Sequence, residues 1–192
     1  AKEVLKDCDG ILVPGGFGDR GIEGMICAAN FARVNNIPYL GICLGMQIAV
    51  IEFARNVLGM KNATSTEFDK FTTYPVIALM IDQYGNIPLG GTMRLGSYPC
   101  KIKENTMMAK SYESLNISER QRHRYEFNNN YRDDFIKAGM IIGGTSPDGT
   151  LVEAIEIPEN KFFVGVQYHP EFKSRPNRAN PIIKGFIKAT IK

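Results

Sequence analysis

At 192 residues, 44% hydrophobic and 22% charged, the chain has the composition of a globular domain able to fill a sizeable core. Its 23 basic and 20 acidic residues leave a formal charge of +3, too small a bias to indicate nucleic acid or a membrane surface as a partner. No apolar run is long enough to cross a bilayer, and the four cysteines (Cys8, Cys27, Cys43, Cys100) form no C-x-x-C pair and no zinc-like spacing, so reduced thiols in a cytoplasmic setting and no metal site are expected.

Residues 1–9 are expected to be the end of a helix or a connection. Ile11-Leu12-Val13 is a short β-type run. An open parallel sheet ordinarily carries a strand and a helix before such a run, so the single domain expected over residues 1–192 is also expected to lack its own start. Pro14-Gly15-Gly16-Phe17-Gly18 follows. Two readings stand for it: a plain tight turn, or a loop whose backbone N–H groups point at an anion or a developing oxyanion. It has neither the spacing of a dinucleotide loop nor the lysine of a phosphate loop. After Asp19-Arg20-Gly21, residues 22–35 read as a helix with Ile22, Met25, Ile26, Ala29 and Ala32 on one face. Asn35-Asn36 ends it, and residues 37–42 form the next strand.

That strand runs into Tyr39-Leu40-Gly41-Ile42-Cys43-Leu44-Gly45-Met46-Gln47, a Gly-x-nucleophile-x-Gly pattern with cysteine as the nucleophile. A sharp strand-to-helix turn of this kind needs an unusual backbone conformation and close packing at both glycines. A thiol at a helix start also meets the positive end of the macrodipole, which favours the thiolate. The competing reading is a buried structural cysteine at a tight junction. The helix over residues 44–58 places Ile48, Ile51, Phe53 and Val57 inward. Strand, glycine loop, helix, strand, cysteine elbow and helix together argue for a parallel α/β sheet with its site at the carboxyl ends of the strands.

Residues 61–73, with Glu67 and Asp69, read as an irregular loop. Strands are expected over 75–81 and 91–102, with turns at 83–86 and 90–91. Residues 105–122 are polar and mixed, with room for a short helix, and the basic run from Arg120 to Arg124 has the ordinary look of a solvated face. A strand over 125–128 and a short helix over 133–138 precede strands at 140–145, 151–157 and 162–167, so the second half should be largely antiparallel. A closing helix over 182–191 offers Ile183, Phe186, Ile187 and Thr190 to the core. Of the two histidines, His123 and His169, the second ends a core strand, with Glu171 two positions on. In an extended segment both side chains would share one side, giving a Cys–His–Glu relay; a loop histidine with a surface glutamate is the plainer alternative.

Pro14-Gly15-Gly16-Phe17-Gly18, Gly41-Ile42-Cys43-Leu44-Gly45-Met46-Gln47 and His169-Pro170-Glu171, in this order, resemble the class I glutamine amidotransferases. Within that class the glutaminase domains of CTP synthases are the nearer match, on Glu67-Phe68-Asp69, Gly91-Thr92-Met93-Arg94-Leu95-Gly96, Arg122-His123-Arg124-Tyr125-Glu126-Phe127-Asn128 and Val166-Gln167-Tyr168-His169-Pro170-Glu171-Phe172. The resemblance implies an α/β fold, flavodoxin-like, with a mostly parallel central sheet flanked by helices and an additional antiparallel section. It implies hydrolysis of L-glutamine through a glutamyl thioester on Cys43, with His169 as acid and base and Glu171 holding it. The oxyanion would meet the N–H groups of Gly16 and Leu44. Gly45, Met46 and Gln47 would line the pocket, with Glu67 taking the α-amino group and Arg124 the α-carboxylate.

The same resemblance implies a synthetase domain outside this sequence, which receives ammonia through a tunnel and uses ATP and Mg2+ to convert UTP to CTP. GTP would act there as an activator, with Phe17, Arg20 and Gly21 in a lid that responds to it, and this domain would need no cofactor of its own. The full-length enzyme is expected to be a cytoplasmic homotetramer assembled mainly through the other domain, and the fragment a monomer. Two further readings stay open: the amidotransferase subunit of another synthase, and an assembly module with little activity in isolation.

Overall fold

A computed structural model of the protein describes residues 2–79 and 93–191, and the turns expected at 83–86 and 90–91 lie outside them. A one-turn helix α1 (Lys2–Leu5) leads to β1 (Ile11–Val13), α2 (Ile22–Val34), β2 (Tyr39–Ile42) and α3 (Leu44–Asn56). There follow β3 (Ala63–Ser65), β4 (Tyr74–Leu79), β5 (Arg94–Ile102), α4 (Met107–Tyr112), β6 (Asn116–His123) and β7 (Tyr125–Phe127). The chain ends with α5 (Arg132–Lys137), β8 (Ile141–Thr145), β9 (Val152–Glu156), β10 (Phe163–Val166) and α6 (Pro181–Thr190).

One sheet has the order β1-β2-β10-β9-β8-β5-β6, and a smaller one the order β3-β4-β7. In the larger sheet β1, β2 and β10 are parallel, and every pairing from β10 outward to β6 is antiparallel. The fold is thus α/β with a mixed sheet between helices. Its parallel part holds the alternating first third of the chain together with the last strand. The register aligns Val13 with Gly41 and Ile42 with Val166, so the loops leaving these three strands start side by side.

Both faces of β2 and β10 are buried, which is why these two strands are near-continuous apolar runs. Along β2, Tyr39 packs into the core beneath α2 and α3, where it stacks on Phe163 at 4.4 Å, while Leu40 packs into the other, beneath α4 and α6. Wedged between α2, the large sheet and the small one, α3 is buried along its length from Leu44 to Ala54. Its one buried charge, Glu52, is satisfied by Arg33 at 2.8 Å and by the amides of Asn30 and Asn56.

Four expectations need correction. The segment 61–73 contains β3, whose pairing with β4 comes from tertiary contact rather than from any apolar pattern. The stretch 105–122 is α4 followed by β6, and β6 escaped notice because its buried face is Glu119, Gln121 and His123, polar where alternation should be apolar. At the closing helix Ile182 and Phe186 face inward, and Ile187 is half exposed. Val57, past the end of α3, is also largely exposed.

Candidate active site

The turn at Cys43 is forced by packing on both sides. A Cβ on Gly41 would lie 2.5 Å from the backbone of Gly45, and one on Gly45 would lie 2.1 Å from the carbonyl oxygen of Val13. Neither position admits a side chain, which explains the glycine spacing physically. Cys43 itself adopts φ 51°, ψ −102°, a conformation L-residues rarely take, as the pattern predicts. Its N–H bonds Val166 at 2.7 Å, tying the elbow to β10.

The expected ease of forming the thiolate is not realised in the resting chain. Burial pushes the Cys43 thiol up to about 12, and Glu171, Glu126 and Glu67 act in the same direction. The Leu44 N–H at the start of α3 does favour the anion, but this one donor does not offset the loss of solvation. The resting species is the thiol, so its reaction requires a partner that takes the proton.

His169 lies on the loop leaving β10. Its Nδ1–H donates to Glu171 Oε1 at 2.6 Å, its ring stacks on Phe172 at 4.8 Å, and its backbone N–H bonds the Arg120 carbonyl at 2.8 Å. The two side chains meet through a 3-10 turn over Pro170–Lys173, not through the extended alternation expected from their spacing. With Nδ1 committed to the carboxylate, Nε2 carries the lone pair, and it is buried without a hydrogen-bond partner among the described residues. Gly15 is the point where the groups converge: a Cβ there would lie 2.7 Å from His169 Cε1 and 3.6 Å from Cys43 Cβ.

Cys43, His169, Gly15, Gly16, Phe17, Gln47, Glu67 and Arg124 all line one cavity of about 370 Å³, together with Met93, Arg122, His123 and Tyr125. That size is at the lower end of small-molecule sites, about 300–1,000 Å³. Glu67 is anchored by the Gly18 N–H at 3.1 Å, so the glycine loop and the carboxylate form one wall. Gln47 donates to the Tyr125 carbonyl at 3.0 Å and to Gln167 Oε1 at 3.3 Å. One carboxylate and two arginines on the walls give the cavity the charge pattern of an amino-acid site.

The structure does not bring every expected residue to this surface. Gly45 and Met46 lie behind it: Gly45 accepts a hydrogen bond from the Tyr39 hydroxyl at 2.9 Å, and Met46 is fully buried against Gly165. Arg20 and Gly21 are exposed and outside the cavity lining, while Phe17 lines it with 90% of its surface exposed. Of the basic run, Arg120 and Arg122 face solvent, but His123 is buried, and burial beside Arg94 pulls its pKa down to about 3. Behind it, Arg94 bridges Glu126 at 3.1 Å and Glu153 at 2.7 Å. Gly15, His123 and Gln167 were missed as site residues; the two-residue spacing of Gln121, His123 and of Gln167, His169 was the available signal.

The chain matches the family model described as glutamine amidotransferase class-I over residues 1–189. Its sequence is 59% identical over 191 residues to a CTP synthase of Staphylococcus haemolyticus, covering 100% of this chain and 36% of that protein. It is 60% identical over 190 residues to a CTP synthase of Clostridium kluyveri, with 99% and 35% covered. Among solved structures, the Trypanosoma brucei CTPS glutaminase domain with bound acivicin superposes with a TM-score of 0.94 at 44% identity, covering 98% of this chain and 73% of that one. The chain belongs to the class I glutamine amidotransferases, among the glutaminase domains of CTP synthase. It spans about a third of the length of the curated CTP synthases it matches. Among the described residues no group of three or more His, Cys, Asp or Glu could hold a metal, and no helix is long and apolar enough to cross a membrane.

Proposed function

We propose that this amidotransferase domain hydrolyses L-glutamine to glutamate and ammonia through a Cys43 thioester, with Cys43, His169 and Glu171 as the catalytic triad. The carrying observation is the imidazole whose Nδ1–H is held by Glu171 at 2.6 Å while its buried Nε2 has no partner among the described residues, in the same cavity as the thiol. His169 Nε2 takes the thiol proton, sulfur attacks the side-chain carbonyl, and the same proton returns to the departing nitrogen. Water, activated by the same imidazole, then releases glutamate. Gly16 and Leu44 N–H groups stabilise the tetrahedral oxyanion. Glu67 meets the substrate α-amino group and Arg124 its α-carboxylate.

The trypanosomal relative binds acivicin, and in this chain the same ligand would occupy the cavity at Cys43. In the longer protein the ammonia would reach a synthetase part that uses ATP and Mg2+ to aminate UTP, with GTP as activator and Phe17, Arg20 and Gly21 in the responding lid. That protein would be a cytoplasmic homotetramer assembled mainly through the synthetase part, leaving this domain monomeric by itself. Glutamate release from glutamine tests the reaction, in the chain alone and joined to a synthetase part. It should vanish in Cys43→Ala with folding intact, and persistence there sinks the mechanism.

A further inference from the structure

Gln167 is fully buried two residues before His169, and its backbone N–H bonds the Glu153 carbonyl at 2.8 Å. Its side-chain Nε2 lies 3.7 Å from Cys43 Sγ, within reach of an N–H···S hydrogen bond. The direction of that amide is fixed by its neighbours. The Tyr125 carbonyl can only accept, so the Gln47 atom 3.0 Å away is its nitrogen. The same nitrogen then donates to the Gln167 oxygen at 3.3 Å, leaving the Gln167 nitrogen to face sulfur. A flipped Gln167 would set two NH2 groups against each other and a carbonyl oxygen against Sγ. Two side chains therefore lock a neutral donor onto the nucleophile.

We infer that Gln167 is a positioning residue for Cys43, its side-chain amide donating to the sulfur as thiol and then as thiolate, so that it holds the nucleophile and stabilises the charge formed when His169 takes the proton. This rests on the glutaminase reading for its role in turnover, though not for its effect on the thiol. In the step concerned, the S–H proton moves to His169 Nε2 and its electron pair stays on sulfur. Sulfur bonds the carboxamide carbon, the C–N bond breaks, and nitrogen leaves as ammonia with the returned proton. Glu171 and Glu67 disfavour an anion at this place, and His169 is the base beside it. The Leu44 N–H and the Gln167 amide are donors that oppose those carboxylates without adding a charge. Because Gln167 and His169 belong to one loop, donor and base are placed together.

The test is the pH profile of Cys43 alkylation by iodoacetamide in the chain, read on the Cys43 peptide by mass because Cys8 and Cys27 are exposed thiols. Gln167→Met keeps the length and loses the donor, so its profile should move up by about one pH unit, with roughly tenfold slower alkylation at a given lower pH. Gln167→Glu sets a carboxylate against sulfur and should move it further. With glutamine as substrate, kcat should fall while KM holds. Unshifted profiles in folded variants overturn the inference, as does a shift of equal size in both; if the Met variant does not fold, the near-isosteric Glu variant decides. A glutamine chloroketone that labels wild-type Cys43 no faster than a chloroketone lacking the amino-acid part would defeat the glutaminase reading and leave the iodoacetamide comparison standing.

Discussion

Gly15→Ala adds one methyl group at the convergence point of the site. Gly15 carries no left-handed φ, so alanine brings no backbone strain and the effect is one of space alone. The new Cβ would lie 2.7 Å from His169 Cε1, about 0.7 Å inside the 3.4 Å of ordinary contact. The imidazole cannot simply step aside. It is held by Glu171 at 2.6 Å on one nitrogen and stacked on Phe172 at 4.8 Å, with only 9° between the rings. Either the ring moves and leaves its line to sulfur, or the loop moves and carries the Gly16 N–H away from the oxyanion. A misplacement approaching 1 Å costs on the order of 10²-fold in rate, whereas overpacking of one methyl costs about 1–3 kcal/mol in stability. Glutamate release should therefore fall by roughly 10- to 100-fold, with a folded chain that melts only modestly lower. An alanine variant within threefold of wild-type turnover would refute the convergence at Gly15.

The strained elbow predicts an inversion of the usual glycine penalty: Cys43→Gly should be more stable than Cys43→Ala by about 1 kcal/mol in denaturant titrations, because glycine alone tolerates φ 51°, ψ −102°. Removing the partner of a buried carboxylate should be far more costly, so Arg33→Met, which strands Glu52, should lose about 3 kcal/mol while the Cys43 alkylation profile stays put. Burial raises the Glu126 carboxyl from 4.5 to about 8 despite Arg94, so between those pH values the folded chain keeps a proton that the unfolded chain has lost. Wild-type stability should fall with rising pH across that window, by at most about 1.4 kcal/mol per pH unit, and Glu126→Gln should flatten the slope in melting curves at pH 5 and 8.

Where packing obeys a simple period, the sequence shows it. Ile11 to Val13 and the helix face of Ile22, Ile26, Ala29 and Ala32 are legible from their apolar positions, and the strands around Leu40 and Val164 because both of their faces are buried. The elbow was legible for a different reason: two backbones approach so closely at Gly41 and Gly45 that no other residue fits. What stayed hidden is where polar groups replace apolar ones inside. Glu119, Gln121 and His123 alternate inward along β6, yet a stripe of this composition has no hydrophobic signature, so the stretch reads as polar and mixed, ending in a solvated basic face, rather than as a strand. Glu171 was matched to His169 with the wrong local geometry, because a 3-10 turn and an extended pair both bring positions two apart together here. For Gln167 the sequence offers only its two-residue spacing from His169, because its contact with Cys43 depends on an amide orientation set by Gln47 and Tyr125, far away in sequence.

The polar interior behind the cavity also bears on the nucleophile's charge. An ionised Glu126 would disfavour the Cys43 thiolate, as Glu171 and Glu67 do. Yet Glu126 shares Arg94 with Glu153, and one guanidinium cannot stabilise two buried anions equally well. Glu153 receives a second donor, Gln121 Nε2 at 2.5 Å. Besides Arg94, Glu126 has a long approach to His123 Nδ1 at 3.5 Å, and among the described residues its Oε2 has no partner. Burial therefore holds the proton on Glu126 up to about pH 8, so at neutral pH its repulsion of the thiolate is absent. The polar interior beneath β6 thus lowers the number of anions near sulfur, and at neutral pH the thiolate that His169 generates faces Glu171 and Glu67 without an ionised Glu126.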